Sequence, residues 1–148
     1  MQELIIQTKS MCNTTKDKIS LLANLSALYM QTIKDINWVG FYLYKNGKLH
    51  LGPFQGKVAC TEIEIGKGVC GTAFEKKLML NVEDVHKFDG HIACDSASNS
   101  EIVVPLISNG KRIGVLDIDS TSFNRFNQED EKMLEEIAKI ISSALLSD

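Results

Sequence analysis

The pattern of apolar and polar residues first predicts a long helix near the start of the chain. Between residues 13 and 35, apolar side chains recur at near-helical spacing: Ile19, Leu22, Leu25, Ala27 and Met30. Apolar positions three to four residues apart form one face of a helix. We therefore predict an amphipathic helix over residues 13–35, with Asn13 or Thr14 as its N-cap.

The pattern then changes to that of strands. Two Asn-Gly pairs, Asn46-Gly47 and Asn109-Gly110, each separate two apolar runs. Because Asn-Gly favours the two-residue turn of a β-hairpin, the sequence predicts hairpins in "WVGFYLYKNGKLHLGPF" and "EIVVPLISNGKRIGVLDIDS". Residues 58–65, "VACTEIEI", alternate apolar and polar side chains and predict a further strand. That strand would place four residues on one face: Val58, Cys60, Glu62 and Glu64.

Two more helices complete the pattern. "GKGVCGTAFEKK" is a glycine-rich turn that opens a short helix, and "NQEDEKMLEEIAKIISSALL" has the apolar stripe of a long terminal one. Asn127 is the expected N-cap of the latter. Strands joined by tight turns are antiparallel. We expect a single α+β domain over residues 1–148, with the long N- and C-terminal helices on one sheet face and a loop-covered ligand pocket on the other.

Composition narrows the class of protein. The chain has 148 residues and a formal net charge of −3, which gives no basic surface for nucleic acid. No apolar run approaches the roughly 20 residues that span a bilayer, and the start "MQELIIQTKSMCN" does not resemble a signal peptide. We expect a cytoplasmic protein. Structural disulfides are rare there, so the four cysteines suggest metal or redox chemistry.

Acidic residues in a predicted strand are the first candidate site. In "RIGVLDIDS", side chains alternate between the two sheet faces, and the helices should cover Leu116 and Ile118. Asp117 and Asp119 then face the pocket, about 7 Å apart along the strand. Glu101, at the start of the partner strand, would lie near Asp119. Such a cluster can bind a cation, or crowding can raise one carboxyl pKa and keep a proton available near neutral pH.

Aromatic residues and cysteines supply the other candidates. Trp38 and Tyr42 lie four residues apart on the first strand, either as core residues or as the apolar wall of a pocket. Cys70 lies near a predicted helix N-terminus, where the helix dipole should lower the thiol pKa. Cys94 neighbours Asp95 in a polar loop close to the acidic cluster. Local electrostatics favours Cys70 as the reactive thiol, whereas position favours Cys94.

Two other kinds of site fit the residues less well. Cys60, Cys70, Cys94 and His91 could form a Cys₃His zinc site, but the short C-x-x-C spacing of structural zinc sites is missing. A serine or cysteine hydrolase with His86 or His91 as base lacks a nucleophile-elbow motif. Cys12 lies outside every motif.

Four segments together resemble the free methionine-(R)-sulfoxide reductases, a branch of the GAF-domain superfamily. They are "INWVGFYL", "LGPFQGKVACTEIEIGKGVCGTA", "DVHKFDGHIACDSASNSEIVVPL" and "GVLDIDS", and they extend from about Trp38 to Ser120. The motif set is specific, because three cysteines occur in fixed order, each in its own context. No departure from the family pattern occurs at the candidate positions.

The resemblance implies a role for each candidate. Cys94 matches the nucleophile, Cys60 the cysteine expected to resolve it, and Cys70 a third thiol of less clear function. The remaining matches form the substrate pocket: Glu101, Asp117, Asp119, Trp38 and Tyr42. The resemblance also implies thioredoxin as reductant, a homodimer, and no metal or organic cofactor.

The implied chemistry fits these residue types. A thiolate attacks the sulfoxide sulfur while a carboxyl group, Glu101 or Asp119, protonates the oxygen. Cys94 becomes a sulfenic acid, and a second thiol converts it to a disulfide. Asp117 or Asp119 would pair with the ammonium of a free amino acid, which protein-bound methionine lacks. The alternative is a GAF module without catalytic activity that binds a small ligand or senses oxidants through its thiols.

Overall fold

A six-stranded antiparallel sheet forms the centre of the molecule. The computed structural model describes residues 2–90 and 97–146. The strand order is β3-β2-β1-β6-β5-β4, so the two long hairpins lie side by side. The predicted α+β class is confirmed. The elements are α1 (Gln2–Thr14), α2 (Lys18–Thr32), β1 (Trp38–Lys45), β2 (Lys48–Gln55), β3 (Glu62–Glu64), α3 (Gly68–Lys76), β4 (Leu80–Val82), a 3₁₀ turn (Val85–Lys87), β5 (Ser100–Ser108), β6 (Lys111–Ser120) and α4 (Gln128–Leu146).

Both predicted hairpins are confirmed. Asn46 and Gly47 have φ angles of 54° and 80°, and Asn109 and Gly110 have φ angles of 51° and 76°. Two successive positive φ values define the turn that matches the twist of paired strands. The turns fix the register of β1 with β2 and of β5 with β6.

Three helices cover one face of the sheet. Helices α2 and α4 pack on the sheet, and α1 packs on α4 and α2, through one continuous apolar core. Its buried side chains include Leu22 and Leu25 of α2, Ile137 and Ile141 of α4, and Phe41 of β1. The predicted placement of the long helices on one face is confirmed. Among residues 2–90 and 97–146, no helix combines the length and apolar character that a membrane span requires.

The opposite face carries a smaller apolar cluster beneath α3. Its buried residues come from β1, β2, β3, α3, β5 and β6: Trp38, Tyr42, Leu49, Ile63, Val69, Cys70, Ala73, Phe74, Val103 and Val115. A short helix therefore shares this face with the predicted loops. The candidate acids of β5 and β6 lie on the same face, as the alternation of side chains requires.

The N-terminal helix differs from the prediction. The predicted helix over residues 13–35 begins only at Lys18, and its N-cap is Asp17, whose carboxylate accepts a hydrogen bond from Ser20 N at 2.9 Å. A separate helix, α1, precedes it. Its inward face includes the polar residue Thr8, whose hydroxyl contacts Tyr29 Oη at 2.8 Å. The apolar pattern does not show α1 because a hydrogen bond replaces an apolar contact there.

The strand predicted over residues 58–65 is also shorter than expected. Only Glu62–Glu64 pairs with β2, and Val58 is 88% exposed. The preceding residues are held to the sheet by side chains of β1. By contrast, the predicted cap of α4 is confirmed, because Asn127 Oδ1 accepts a hydrogen bond from Asp130 N at 2.9 Å.

Candidate active site

The acidic residues of β6 point away from the three-helix layer, as predicted. Leu116 and Ile118 lie in the core beneath the helices, and Val115 belongs to the cluster beneath α3. Asp117 and Asp119 alternate with Leu116 and Ile118, and are only 5% and 9% exposed. Two buried carboxyl groups in one strand lose much of their hydration, so they need hydrogen-bond partners or protons.

The strand register brings the candidate residues into two adjacent rows. Asp119 pairs with Glu101 of β5 on one side and with Trp38 of β1 on the other. Two residues along, Asp117 lies between Val103 and Gly40. The predicted proximity of Glu101 and Asp119 is confirmed. Trp38 therefore borders the same row as both carboxyl groups.

Helix α3 adds a thiol to the acidic cluster. Cys70 Sγ and one carboxyl oxygen each from Glu101 and Asp117 all lie within 4.8 Å of one another, and all three residues are buried. The Cys70 thiol and the Glu101 carboxyl group each form a hydrogen bond to Asp117. Asp117 Oδ1 has no hydrogen-bond partner among the described residues. One oxygen of this carboxyl group can therefore accept a further donor.

Burial makes both acids retain protons. Desolvation and the negative charge of Asp119 raise the pKa of Asp117 to about 8. Desolvation and the charge of Asp117 raise the pKa of Glu101 well above that of an ordinary glutamate. Each carboxyl group resists ionisation while its neighbour is charged. The cluster is therefore suited to keep a proton at neutral pH, as predicted from the crowding of the carboxyl groups.

The expectation of a lowered pKa at Cys70 is wrong. Cys70 lies in the first turn of α3, but burial raises its pKa, and the charges of Asp117, Glu101 and Asp119 raise it further. Desolvation and three nearby acids outweigh one helix end, whose dipole is equivalent to about half a charge. Cys70 is therefore a protonated thiol in the acidic cluster and not an activated thiolate.

The aromatic pair forms a stacked wall beside the acids. Trp38 and Tyr42 are each 2% exposed, and their ring centroids lie 6.1 Å apart. Phe54 of β2 extends this wall, because its ring stacks on that of Trp38 with the two centroids 5.2 Å apart. Phe54 and Gly56 are not among the residues predicted from the sequence. A Cβ atom at Gly56 would lie 2.5 Å from Trp38 Cδ1. The motif "PFQGKVAC" contains both and was the available signal.

The remaining cysteines and histidines are placed as follows. Cys60 is disulfide-bonded, whereas Cys12 and Cys70 are free thiols. Cys94 and His91 lie outside the described residues. His86 is exposed, and its Nε2 contacts Asn99 Oδ1 at 3.0 Å. A disulfide removes the Cys60 thiolate from the proposed zinc set. The three groups Cys70, Glu101 and Asp117 could ligate an ion only after losing the protons that their surroundings favour.

The site thus combines a buried acidic row, a protonated thiol and an aromatic wall on the α3 side of an antiparallel sheet. The family profile of the GAF domain matches residues 21–146. The fold is that of a GAF domain.

Relatives define the branch. The free methionine-R-sulfoxide reductase of Escherichia coli (strain K12) is 55% identical over 127 residues, which cover 86% of this chain and 77% of that protein. The protein of the same name from Saccharomyces cerevisiae (strain ATCC 204508 / S288c) is 44% identical over 152 residues, covering 97% of this chain and 84% of that protein. The chain belongs to the free methionine-(R)-sulfoxide reductase branch of the GAF-domain superfamily.

A solved structure supports the same assignment. The X-ray structure of the free methionine-R-sulfoxide reductase from Neisseria meningitidis, in complex with its substrate, matches with a TM-score of 0.94 and 43% sequence identity. The match covers 98% of this chain and 87% of that one. The resemblance found in the sequence is therefore confirmed by both sequence and structure.

Proposed function

We propose that this protein reduces free L-methionine (R)-S-oxide to methionine. The proposal depends on one observation above all: Glu101, only 8% exposed and with a pKa raised well above its ordinary value, lies in the same cross-strand row as Trp38. A proton donor beside an aromatic wall suits a substrate with a sulfoxide oxygen and a methyl group. Relatives at 55% and 44% identity carry the name of this reaction.

In the proposed reaction, Cys94 is the nucleophile. Its sulfur attacks the sulfoxide sulfur, the carboxyl group of Glu101 protonates the oxygen, and methionine leaves as Cys94 becomes a sulfenic acid. We choose Glu101 over Asp119 as the donor because burial and the charge of Asp117 both keep its proton bound. Glu101 recovers its proton from solvent or substrate before the next cycle.

Substrate binding divides between the acids and the aromatic wall. Asp117 and Asp119 accept the ammonium of the free amino acid, and Asp117 Oδ1 has a free acceptor position among the described residues. The ammonium lowers the pKa of Asp117 from about 8, so the bound carboxylate is ionised. Trp38 and Tyr42 contact the S-methyl group. A peptide amide supplies no such charge, so we propose that protein-bound methionine sulfoxide is a poor substrate.

A second thiol completes the cycle. Cys60 S–H condenses with the Cys94 sulfenic acid to give a disulfide and water, and thioredoxin then reduces the disulfide by exchange. Overall, one sulfoxide and two thiols give one thioether, one disulfide and one water. Cys60 is the disulfide-bonded cysteine among those described, which supports this role. Cys70, buried against Asp117, instead contributes a hydrogen bond to the acidic cluster. No metal or organic cofactor enters this cycle.

We further propose that the chain forms a homodimer through its helical layer. Ile6 of α1 and Ile19 of α2 are 57% and 72% exposed, which leaves apolar surface on both helices. Sedimentation of the purified protein tests this proposal. A monomer at all accessible concentrations would overturn it without touching the proposed reaction.

The proposed reaction is tested by incubating the protein with free methionine (R)-sulfoxide and dithiothreitol and measuring methionine. We expect turnover by the parent and by a Cys12→Ser control, and loss of turnover in Cys94→Ser. Equal activity of Cys94→Ser and parent would contradict the role of Cys94. A parent that binds the sulfoxide without producing methionine would instead support a GAF module that binds ligand without turnover.

A further inference from the structure

The stretch that carries Cys60 depends on side chains of β1 for its position. Residues 56–61 lie between β2 and β3 and have irregular backbone. Two side chains of β1 donate hydrogen bonds to carbonyl oxygens of this stretch. Trp38 Nε1 donates to Lys57 O at 3.1 Å, and Tyr42 Oη donates to Cys60 O at 2.9 Å. The second bond is made to the cysteine itself.

Tyr42 is well placed to fix this position. Its side chain is 2% exposed and its ring lies in the wall that borders the acids. A buried hydroxyl needs a partner, and this one donates to main chain although three carboxyl groups lie on the same face. Strand β1 is hydrogen-bonded on both sides, to β2 and β6. The phenol therefore joins an irregular stretch to a rigid part of the sheet.

Position matters for the second step of the proposed cycle. The Cys60 thiol must meet a sulfenic acid on another segment, and holding two reacting groups in the right orientation can contribute orders of magnitude in rate. Val58, two residues before Cys60, is 88% exposed, so the stretch has little packing of its own on that side. On the other side, Ala59 and Cys60 pack against the apolar cluster beneath α3. The hydrogen bonds to Lys57 O and Cys60 O add the directional contacts that fix the backbone of the stretch.

We propose that the Tyr42 hydroxyl is a positioning group for Cys60, and that it sets the rate at which the disulfide forms. This inference rests on the proposed function. In the step concerned, Cys60 S–H and Cys94 S–OH become an S–S bond and water. The oxygen derives from the sulfoxide, and no other oxidant is needed. Tyr42 thereby has a role in regenerating the enzyme in addition to contacting the substrate.

The test is a single turnover of Tyr42→Phe, which removes one oxygen and keeps the ring. Reduced protein is mixed with free methionine (R)-sulfoxide and quenched at intervals. Methionine is measured by chromatography, and sulfenic acid and disulfide by mass spectrometry after dimedone trapping. We expect the ratio of the disulfide-forming rate to the methionine-forming rate to fall about fivefold, the effect of one neutral hydrogen bond. Trapped sulfenic acid should increase accordingly.

Tyr44→Phe is the matched control. Tyr44 lies two residues further along β1, is 41% exposed, and stacks on Phe74 at 4.9 Å. The same chemical change there should leave the ratio of the two rates unchanged. A fall in both variants would assign the effect to the stability of β1 and would overturn the proposal.

Two results separate this inference from the proposed function. If Tyr42→Phe slows methionine formation as much as disulfide formation, or changes only the KM, the hydroxyl acts on substrate and the inference is wrong. If the parent makes no methionine, the proposed function fails. Hydrogen peroxide can then oxidise Cys94 directly. An unchanged rate of disulfide formation in Tyr42→Phe under peroxide would overturn the positioning role by itself.

Discussion

The carboxyl group of Glu101 shows how its surroundings set the chemistry of one side chain. An exposed glutamate is ionised at neutral pH, but this one is 8% exposed and lies beside Asp117. Desolvation and the neighbouring charge both favour the protonated form. The Glu101 carboxyl group therefore retains its proton to a higher pH than an ordinary glutamate does.

Replacing Glu101 by Gln should remove this proton donor while keeping the shape of the side chain. We expect kcat to fall by about 10²–10⁴-fold, the usual contribution of general acid catalysis. The parent should lose activity as the pH rises through the raised pKa of Glu101, and the variant should lack that decline. Steady-state kinetics between pH 6 and pH 10 measure both effects.

Glu62→Gln is the control for this substitution. Glu62 lies in β3 and makes a surface ion pair with Lys48 at 3.4 Å, which contributes little to stability. Its activity should match that of the parent. If Glu101→Gln also retained activity within a few-fold, a different group would have to protonate the sulfoxide oxygen.

Asp117 should make the stability of the protein depend on pH. Its pKa rises from 3.8 in the unfolded chain to about 8 in the folded one. Between these values the folded state binds more protons, so the free energy of unfolding is greatest below about pH 4 and falls as the pH rises toward 8. Asp117→Asn removes this dependence. Urea denaturation should measure the free energy of unfolding of variant and parent at both pH values. The difference, variant minus parent, should be larger at pH 8 than at pH 4 by at least about 1 kcal/mol.

Asp89→Asn, a change at an exposed position, is the control and should follow the parent at both pH values. If the stability difference between Asp117→Asn and parent stayed constant from pH 4 to pH 8, Asp117 would be ionised throughout the range. Of the two carboxyl groups with a raised pKa, only Glu101 would then retain its proton.

The sequence predicted the positions of some of these residues but not all of their chemical properties. Leu116 and Ile118 alternate with the two aspartates, and the helices had to cover the apolar side chains. This alternation predicted the sheet face on which each of the four side chains lies. The pKa of Cys70 was beyond reach. The sequence shows that Cys70 lies near a helix end. The three acids that raise its pKa belong to β5 and β6, which are distant from it in the sequence.

At the level of secondary structure, local signals decided what could be predicted. The Asn-Gly turns carry their own φ preference, so both hairpins followed from the sequence. Helix α1 and the short strand β3 depend on distant partners. Thr8 of α1 bonds to Tyr29 of α2, and the residues before β3 are held by Trp38 and Tyr42. Such contacts leave no periodic pattern.

Gly56 connects the backbone of this region to the aromatic wall. It has a φ of 134°, and a Cβ atom there would lie 2.5 Å from Trp38 Cδ1 and 2.9 Å from Asn37 O. Gly56→Ala should therefore strain the backbone and also displace the Trp38 ring. We expect a loss of about 1–3 kcal/mol in the free energy of unfolding, together with a raised KM for the sulfoxide.

Gly47→Ala separates the two effects. Gly47 also has a positive φ, 80°, but a Cβ atom there meets nothing within 4 Å. This control should lose stability through backbone strain alone and keep the KM of the parent. Equal KM values for Gly56→Ala and parent would show that the position of Trp38 does not govern substrate binding.

In the whole molecule, the large apolar core and the candidate active site lie on opposite faces of the sheet. Helices α1, α2 and α4 supply the large apolar core on one face, whereas the other face holds the acids and the aromatic wall beneath α3. Buried carboxyl groups destabilise a protein, and the large core offsets that cost. The sequence predicted this division because the helices and the acids needed opposite faces of one strand.

The central claim is that the acidic site accepts a free amino acid and excludes one within a peptide. The direct measurement compares kcat/KM for free L-methionine (R)-sulfoxide with that for its N-acetyl amide, using dithiothreitol as reductant. A buried carboxylate left without its ammonium partner costs about 3–5 kcal/mol, so we predict a kcat/KM at least about 10²-fold lower for the blocked compound. Equal values for the two compounds would contradict the account.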